Sequence, residues 1–250
     1  MFSLKGKRAL ITGAATGIGQ AIAHRLAQSG AQVAITDRVG VSLEETAALC
    51  APYGNGVVQE ALDVRQCAMI KEVVPKLERE GGGFDILVNN AGINRPTKAL
   101  EVDEANWEDH FTTNVRGGFF CAQAVAPFMI EQGYGRIIFI SSQSGLIGIP
   151  GQPVYCAAKG AIINLVRTLG VEWASYGITV NSVAPTFIET NLTRERLKKP
   201  EFKEFVLSKI PSRKLSVPDD VAYAALYLAS EEAAMVNATT LSVDGGWTSW

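Results

Sequence analysis

Few residues of this chain are of the types that hold zinc or close a disulfide. Its 250 residues include two histidines and four cysteines, and no two of those cysteines form a C-x-x-C pair: Cys50, Cys67, Cys121 and Cys156. Zinc sites need cysteines or histidines at short, regular spacings, and disulfide frameworks are typical of small secreted chains. The sequence therefore predicts reduced core thiols and no metal site.

An excess of charge of one sign and long apolar runs are lacking as well. The formal net charge is -2, which gives no overall attraction to nucleic acid or to an anionic membrane. No stretch reaches the ~18 unbroken apolar residues of a spanning helix, and the first residues lack the apolar core and cleavage site of a signal peptide. We expect a cytoplasmic protein without nucleic-acid or membrane partners, in which the N-x-T motifs at Asn191 and Asn237 are chance matches.

Hydrophobic residues, by contrast, make up 47% of the chain, and they fall into short strands that alternate with helices. The predicted strands cover residues 8–12, 32–36, 57–62, 84–89, 136–141, 178–183 and 239–243. The predicted helices cover residues 17–29, 42–50, 69–79 and 218–229, with others after Asn114 and Pro153. This order predicts one α/β domain over residues 1–250, a Rossmann-like doubly wound parallel sheet with helices on both faces.

A glycine-rich turn joins the first strand to the first helix. It reads Thr12-Gly-Ala-Ala-Thr-Gly-Ile-Gly19. Glycine permits a tight turn and lets a pyrophosphate approach the backbone N–H groups at a helix start. A purely structural turn would carry the same letters, but the position between a strand and a helix favours dinucleotide binding.

Asp37 ends the second strand, eighteen positions after Gly19. A carboxylate there can accept hydrogen bonds from the ribose hydroxyls of NAD and would repel the 2'-phosphate of NADP. Arg38 follows and could grip a phosphate, so NADP is disfavoured without being excluded. A solvated acid in a turn is the alternative interpretation.

Tyr155 and Lys159 lie four residues apart on a helix that Pro153 can open, so the phenol and the ammonium share one face. A cation beside a phenol favours the phenolate, which would make Tyr155 a general acid/base. Ser142 ends the preceding strand, where its hydroxyl can bind a substrate oxygen. These residues predict proton transfer to or from an alcohol.

Taken in order along the chain, these pieces and four more resemble the short-chain dehydrogenases/reductases from Lys7 to Trp247. The further matches are Asp63-Val64, Asn89-Asn-Ala-Gly92, Asn114 and Asn181 to Pro185. The resemblance implies an NAD-dependent enzyme that interconverts a secondary alcohol and a ketone. The cofactor-binding residues are then Gly13, Thr16, Gly17, Ile18, Gly19, Asp37, Arg38, Asp63, Val64, Asn89, Ala91, Gly92, Tyr155, Lys159, Pro185, Ile188 and Thr190.

The resemblance also implies roles for individual residues. Asp63 and Val64 would hold the adenine, Lys159 would contact the nicotinamide ribose, and Asn114 would anchor a water that links Lys159 to solvent. The chain departs from the family at Thr186, where a glycine is usual. A homotetramer is implied as well, assembled through the helices after Asn114 and Ser142 and through the last strand.

The least regular segment, residues 186–215, stands where the family carries its substrate lid. This segment has eight lysines and arginines against four glutamates. With Arg95 and Lys98 it could attract an anionic substrate, or it could be an ordinary solvated surface. The candidate substrate-binding residues are Arg95, Ser142, Ser144 and Gln152.

Three functions remain open at this point. The first is a dehydrogenase of a sugar, a polyol or a sugar acid. The second is a 3-oxoacyl-carrier-protein reductase, which would normally prefer NADPH, a preference that Asp37 opposes. The third, from another class, is a non-catalytic NAD-binding sensor, although such proteins tend to have lost the tyrosine or the lysine that this chain keeps.

Overall fold

The computed structural model describes residues 2–189 and 193–249, and in them seven strands form one parallel sheet. The strands are β1 (Arg8–Thr12), β2 (Gln32–Asp37), β3 (Val57–Ala61), β4 (Ile86–Asn89), β5 (Gly135–Ile140), β6 (Ile178–Pro185) and β7 (Thr240–Val243). Their order across the sheet is β3-β2-β1-β4-β5-β6-β7. The predicted fold class is confirmed, since every pairing in the sheet is parallel.

Helices cover both faces of the sheet. They are α1 (Gly17–Gln28), α2 (Glu44–Cys50), α3 (Cys67–Gly81), α4 (Glu104–Phe111), α5 (Gly118–Gln132), α6 (Pro153–Trp173), α7 (Arg194–Leu197), α8 (Pro200–Lys209) and α9 (Pro218–Ala229). Successive strand residues point to opposite faces: Ile11 packs with α1 and α9, whereas Leu10 packs with α3, α5 and α6. Strands that are buried on both faces are mostly apolar, as the central residues of β1 and β5 are.

The topology of the sheet indicates where a ligand is expected to bind. β1 pairs with β2 on one side and with β4 on the other, so the chain order reverses between β1 and β4. Ligands of open α/β sheets bind outside the carboxyl ends of the strands at such a reversal. The glycine turn, the Asn-Asn-Ala-Gly segment and Ser142 all follow strand ends at this edge.

Apart from shifts of a few residues at the ends of elements, the structure differs from the sequence prediction in two places. The helix expected after Asn114 is preceded by α4 and by a π-helical turn, Thr112–Gly117, in which Asn114 lies. The segment expected to be irregular contains α7 and α8. The π turn packs closely against Val64, and this requires glycine at position 117. A Cβ atom there would lie 2.7 Å from the backbone oxygen of Val64.

Among the described residues one helical stretch, Pro153–Tyr176, is long and apolar enough to cross a membrane by length and composition alone. A core helix of a globular protein passes the same test, and 44% of its most apolar window is buried within the protein. Ile162 and Val166 of α6 belong to the core under the sheet. All four cysteines are free thiols.

Candidate active site

A cavity of about 440 Å³ opens at the carboxyl edge of the sheet. It brings together most of the predicted site residues. Those that line it are Gly13, Thr16, Gly17, Ile18, Asp37, Arg38, Asp63, Val64, Ala91, Gly92, Arg95, Ser142, Ser144, Gln152, Tyr155, Lys159, Pro185 and Ile188. Gly19, Asn89 and Asn114 support the wall without lining it, and Thr190 lies outside the described residues.

The glycine turn forms one end of this cavity, and its backbone requires glycine. Gly13 and Gly17 adopt φ values of +63° and +62°, which L side chains rarely adopt. A Cβ atom on Gly19 would lie 2.2 Å from the oxygen of Gly13 and 2.5 Å from Nδ2 of Asn90. The turn therefore leaves room for a phosphate group at the positive start of α1, and it fits a dinucleotide.

Asp37 contributes to the shape of the same turn. Its Oδ2 accepts a hydrogen bond of 3.1 Å from the backbone N–H of Ala15, and its Oδ1 accepts one of 2.8 Å from that of Arg38. The carboxylate thus joins the end of β2 to the glycine turn. A negative charge is fixed at the point where the sequence analysis expects the adenosine ribose.

Asp63 is bound by a neighbour that the sequence analysis did not single out. Its carboxylate accepts hydrogen bonds from the side chain of Arg65, with 2.6 Å between Nη2 and Oδ2, and from the Arg65 backbone N–H. The guanidinium holds the pKa of Asp63 at about 2. Asp63 and Arg65 form an ion pair on the cavity wall, close to where the adenine is expected.

Asn90 is a positioning residue that the prediction missed. Its Nδ2 donates to the backbone oxygens of Thr12 and Gly13, at 3.0 and 2.8 Å. Thr12 Oγ1 in turn accepts the backbone N–H groups of Asn90 and Ala91. These bonds fix the carboxyl ends of β1 and β4 against each other. The repeated asparagine is the available sequence signal, although the sequence analysis assigns only the first of the two, Asn89, to the cofactor site.

Lys159, Tyr155 and Ser142 meet at the other end of the cavity. The side chain of Lys159 is 5% exposed, and its Nζ donates a hydrogen bond of 2.7 Å to the backbone oxygen of Ile140. That Nζ lies 5.6 Å from the centre of the Tyr155 ring. Ser142 Oγ accepts the backbone N–H of Ser144 at 3.1 Å, and its hydroxyl is near enough to the Tyr155 phenol to lower the pKa of that group.

The expected lowering of the Tyr155 pKa by Lys159 is not what the described residues produce. Burial raises the pKa of Tyr155 to about 12, and the polar interaction with the Ser142 hydroxyl opposes that rise. Burial also lowers the pKa of Lys159 to about 8. Desolvation outweighs the attraction between cation and phenolate because the ammonium is directed at the Ile140 carbonyl.

Asn114 closes the wall behind Lys159. Its Nδ2 donates to the backbone oxygen of Ile93 at 3.0 Å, and its Oδ1 accepts the Ile93 N–H at 2.7 Å. A Cβ atom on Gly92 would lie 3.1 Å from Asn114 Oδ1 and 3.6 Å from Lys159 Nζ. Gly92 therefore lets the amide and the ammonium approach one another.

His110 holds the loop that follows Gly92. The backbone N–H of Arg95 donates to His110 Nε2 at 3.1 Å, and Nδ1 lies 2.7 Å from the oxygen of Asn106. A carbonyl can only accept, so Nδ1 carries the proton and the ring links the Arg95 and Asn106 backbones. The centres of the His110 and Tyr155 rings lie 6.3 Å apart, and the two rings pack edge to face.

Two predicted substrate residues each have one polar group engaged within the protein. The Arg95 guanidinium pairs with Asp109 at the cavity rim. Gln152 Oε1 accepts a hydrogen bond of 2.8 Å from Nδ2 of Asn94, a residue that the sequence analysis did not select. Gln143, also not selected, follows Ser142 and lines the cavity.

Comparison with known proteins identifies the family of this chain. A family model described as enoyl-(acyl carrier protein) reductase matches residues 13–248. The chain is 36% identical over 248 residues to gluconate 5-dehydrogenase of Gluconobacter oxydans, covering 99% of this chain and 97% of that protein. The chain belongs to the short-chain dehydrogenase/reductase family. It is accordingly an oxidoreductase that acts on CH–OH groups and depends on a nicotinamide cofactor.

Two further family members show how broad the similarity is. A 3-oxoacyl-acyl-carrier-protein reductase of Thermotoga maritima is 39% identical over 243 residues, covering 97% of this chain and 98% of that one. The structure of a gluconate 5-dehydrogenase from Burkholderia cenocepacia, in complex with NADP and tartrate, superimposes with a TM-score of 0.94. It shares 37% identity, with 100% of this chain and 98% of that chain covered.

Proposed function

We propose that this short-chain dehydrogenase/reductase uses NAD to interconvert a secondary alcohol and a ketone of the sugar, polyol or sugar-acid type. One observation carries the proposal: a single cavity holds the glycine turn and Asp37 together with Ser142, Tyr155 and Lys159. A dinucleotide site and a proton-transfer site are thus joined. That arrangement suits hydride transfer to or from a carbon whose oxygen lies beside Tyr155.

The residues of the cavity fit a dinucleotide along its length. The turn around Gly13 and Gly17 would hold the pyrophosphate, Asp37 the adenosine ribose, and Asp63 and Val64 the adenine. Lys159 would contact the nicotinamide ribose. Thr16, Ile18, Gly19, Asn89, Ala91, Gly92, Pro185, Ile188 and Thr190 complete the proposed set. When bound, the nicotinamide supplies the hydride acceptor or donor.

The chain's own residues handle the proton. In alcohol oxidation, Tyr155 takes the hydroxyl proton as the carbonyl forms, and in ketone reduction it returns that proton to the oxygen. Ser142, which lines the cavity with Tyr155, binds the same oxygen as charge develops on it. Lys159 keeps a buried positive charge near the phenol, and Asn114 anchors a water that links Lys159 to solvent.

The preference for NAD over NADP follows from Asp37. Its fixed carboxylate would repel a 2'-phosphate. The Burkholderia cenocepacia relative was crystallised with NADP, and Arg38 lines the same part of this cavity. Initial rates with each cofactor therefore separate the two candidates, since a 3-oxoacyl-carrier-protein reductase would normally favour NADPH.

Sugar acids and polyols remain the proposed substrate class, and gluconate is what the Gluconobacter relative acts on by name. An anionic substrate would have to draw on the basic segment at residues 186–215, the proposed lid, because Arg95 is already paired with Asp109. Steady-state kinetics with matched neutral and anionic substrates, and with Arg95→Ala, tests that point. An unchanged KM in the variant would remove Arg95 from the site.

Assembly and location are also proposals. A second, apolar groove lies between α4, the π turn and α6 and is lined in part by Phe111, Val115, Phe119 and Leu165. We propose that a second copy covers it in a cytoplasmic homotetramer built from single-domain subunits. Light scattering that gave the mass of one subunit would overturn the assembly.

The experiment that tests the function is a screen of secondary alcohols with NAD, followed by the absorbance of reduced cofactor. We expect turnover of at least one polyol or sugar acid, at a higher rate with NAD than with NADP. Turnover restricted to acyl thioesters would favour the reductase instead.

A further inference from the structure

Three amide side chains surround the reacting end of the cavity, and each has a polar atom without a hydrogen-bond partner in the described part of the chain. We call Asn94, Gln143 and Gln152 the amide cluster. Gln143 is 2% exposed and Gln152 is 3% exposed. Buried polar groups are nearly always paired in folded proteins, so unpaired ones that line a cavity point to a ligand.

The cluster presents both donors and acceptors. Asn94 Nδ2 donates to Gln152 Oε1 at 2.8 Å, which fixes the orientation of both amides. Asn94 Oδ1 then remains as an acceptor and Gln152 Nε2 as a donor. Gln143 adds one of each, since neither Oε1 nor Nε2 has a partner among the described residues.

The cluster also flanks the proton-transfer residues. Gln143 follows Ser142 directly, and Gln152 precedes Tyr155 by one helical turn at the start of α6. Asn94 reaches Gln152 from the loop after Gly92. A substrate whose oxygen contacts Ser142 and Tyr155 would therefore have its neighbouring carbons within reach of these amides.

The balance of donors and acceptors distinguishes the substrate classes. An acyl chain would leave all four free polar atoms unpaired, which is costly in a buried site. A carboxylate accepts only, so it would satisfy the two amide nitrogens and leave the oxygens of Asn94 and Gln143 unpaired. A hydroxyl group both donates and accepts, so neighbouring hydroxyls match this set.

We propose that Asn94, Gln143 and Gln152 form a subsite for the hydroxyl groups on the carbons next to the reacting one, so that the enzyme selects chains of vicinal hydroxyls. The inference deepens the proposed function and rests on it. It makes the amide cluster the source of specificity for polyols over simple alcohols of the same length.

The test compares kcat/KM for a four-carbon tetritol and for 2-butanol with saturating NAD. We expect wild type to prefer the tetritol by at least about tenfold, the size of effect that hydrogen-bonded pairing supplies. Gln143→Met, which keeps length and removes both polar atoms, should lower kcat/KM for the tetritol by about tenfold and change that for 2-butanol by less than about twofold. Gln32→Met, at the opposite edge of the sheet, is the matched control.

A second variant, Gln152→Met, repeats the test should Gln143→Met fail to give a cooperative thermal unfolding transition. Equal losses for both substrates, or no loss for either, would overturn the subsite. Wild-type turnover without preference would overturn the subsite and leave the proposed function standing. Absence of turnover for every alcohol with either cofactor would overturn both.

Discussion

The ammonium nitrogen of Lys159 lies 2.7 Å from the backbone oxygen of Ile140, to which it donates a hydrogen bond. Ile140 is the last residue of β5, and Ser142 follows it by two positions. One strand end therefore fixes both the buried cation and the hydroxyl that meets Tyr155. The site's geometry rests on the sheet more than on its loops.

Replacing Lys159 by methionine should abolish most activity while the fold is kept. The variant removes the only charge that α6 places behind Tyr155 in the cavity wall, and general acid/base assistance contributes about 10² to 10⁴ in rate. We expect kcat to fall within that range. Lys71→Met, exposed on α3, is the control and should retain wild-type rates. A Lys159→Met enzyme with unchanged kcat would exclude a catalytic role for the ammonium.

Alcohol oxidation should accelerate with rising pH. Burial raises the pKa of Tyr155 to about 12, so at neutral pH the phenolate that accepts the proton is scarce, and each pH unit multiplies its fraction by about ten. We expect log kcat/KM for oxidation to rise with a slope near one between about pH 6 and 7, below the pKa of about 8 at which Lys159 loses its charge. Ketone reduction, which needs the neutral phenol, should change little over that range. A flat profile for oxidation would assign the proton to another group.

Asp37→Asn should shift cofactor preference toward NADP. The amide keeps an oxygen for the Ala15 N–H and removes the charge, and two unit charges about 4 Å apart repel by about 1 to 4 kcal/mol. The ratio of kcat/KM for NADP to that for NAD should rise at least about tenfold. Glu44→Gln, exposed at the start of α2, serves as the control. An unchanged ratio in Asp37→Asn would mean that the carboxylate does not face the ribose.

The stability of the folded protein should depend on pH because of Glu78, a buried residue outside the active site. Its carboxyl is fully buried, and neither oxygen has a hydrogen-bond partner among the residues described. Burial raises its pKa to about 8, with Arg8 acting in the opposite direction. The folded state therefore binds this proton more tightly than the unfolded state, and its contribution is lost as the pH rises from about 4.5 to about 8.

Glu78→Gln mimics the protonated acid and should flatten that decline. We expect the variant's thermal midpoint to exceed the wild-type value at about pH 9 by at least about 2 °C, and the difference to shrink toward about pH 5. Calorimetry across this range measures both. A wild-type midpoint that is higher at pH 9 than the variant's would show that Glu78 is ionised and stabilised by Arg8 in the folded protein.

The parts of the fold that could be predicted are those that follow from local periodicity. β1 and α9 have the predicted bounds, because a short apolar run before a glycine turn and the Pro218-Asp-Asp start are strong local signals. The π turn around Asn114 could not be predicted, since it depends on how closely Gly117 approaches Val64, a contact between residues distant in sequence. α7 and α8 were missed because their apolar residues, such as Leu197 and Val206, pack into a small separate cluster with Trp247.

Some residues of the candidate site could likewise be predicted from the sequence, and others could not. Motif residues such as Gly13, Tyr155 and Lys159 were found because their order along the chain is specific, and the structure brings them to one cavity. Asn94 and Gln143 were missed, because an amide next to a motif carries no signal until its burial and unpaired atoms are known. The direction of the Tyr155 pKa also needed the structure, because it depends on where the Lys159 ammonium points.

The most direct test of the central claim separates cofactor binding from turnover in Tyr155→Phe. The claim predicts that the variant binds NADH with an affinity within about threefold of wild type by fluorescence titration, while its kcat for NAD-linked alcohol oxidation falls at least about 10²-fold. A variant that turns over at the wild-type rate, or a wild-type protein that binds no nicotinamide dinucleotide, would contradict the account.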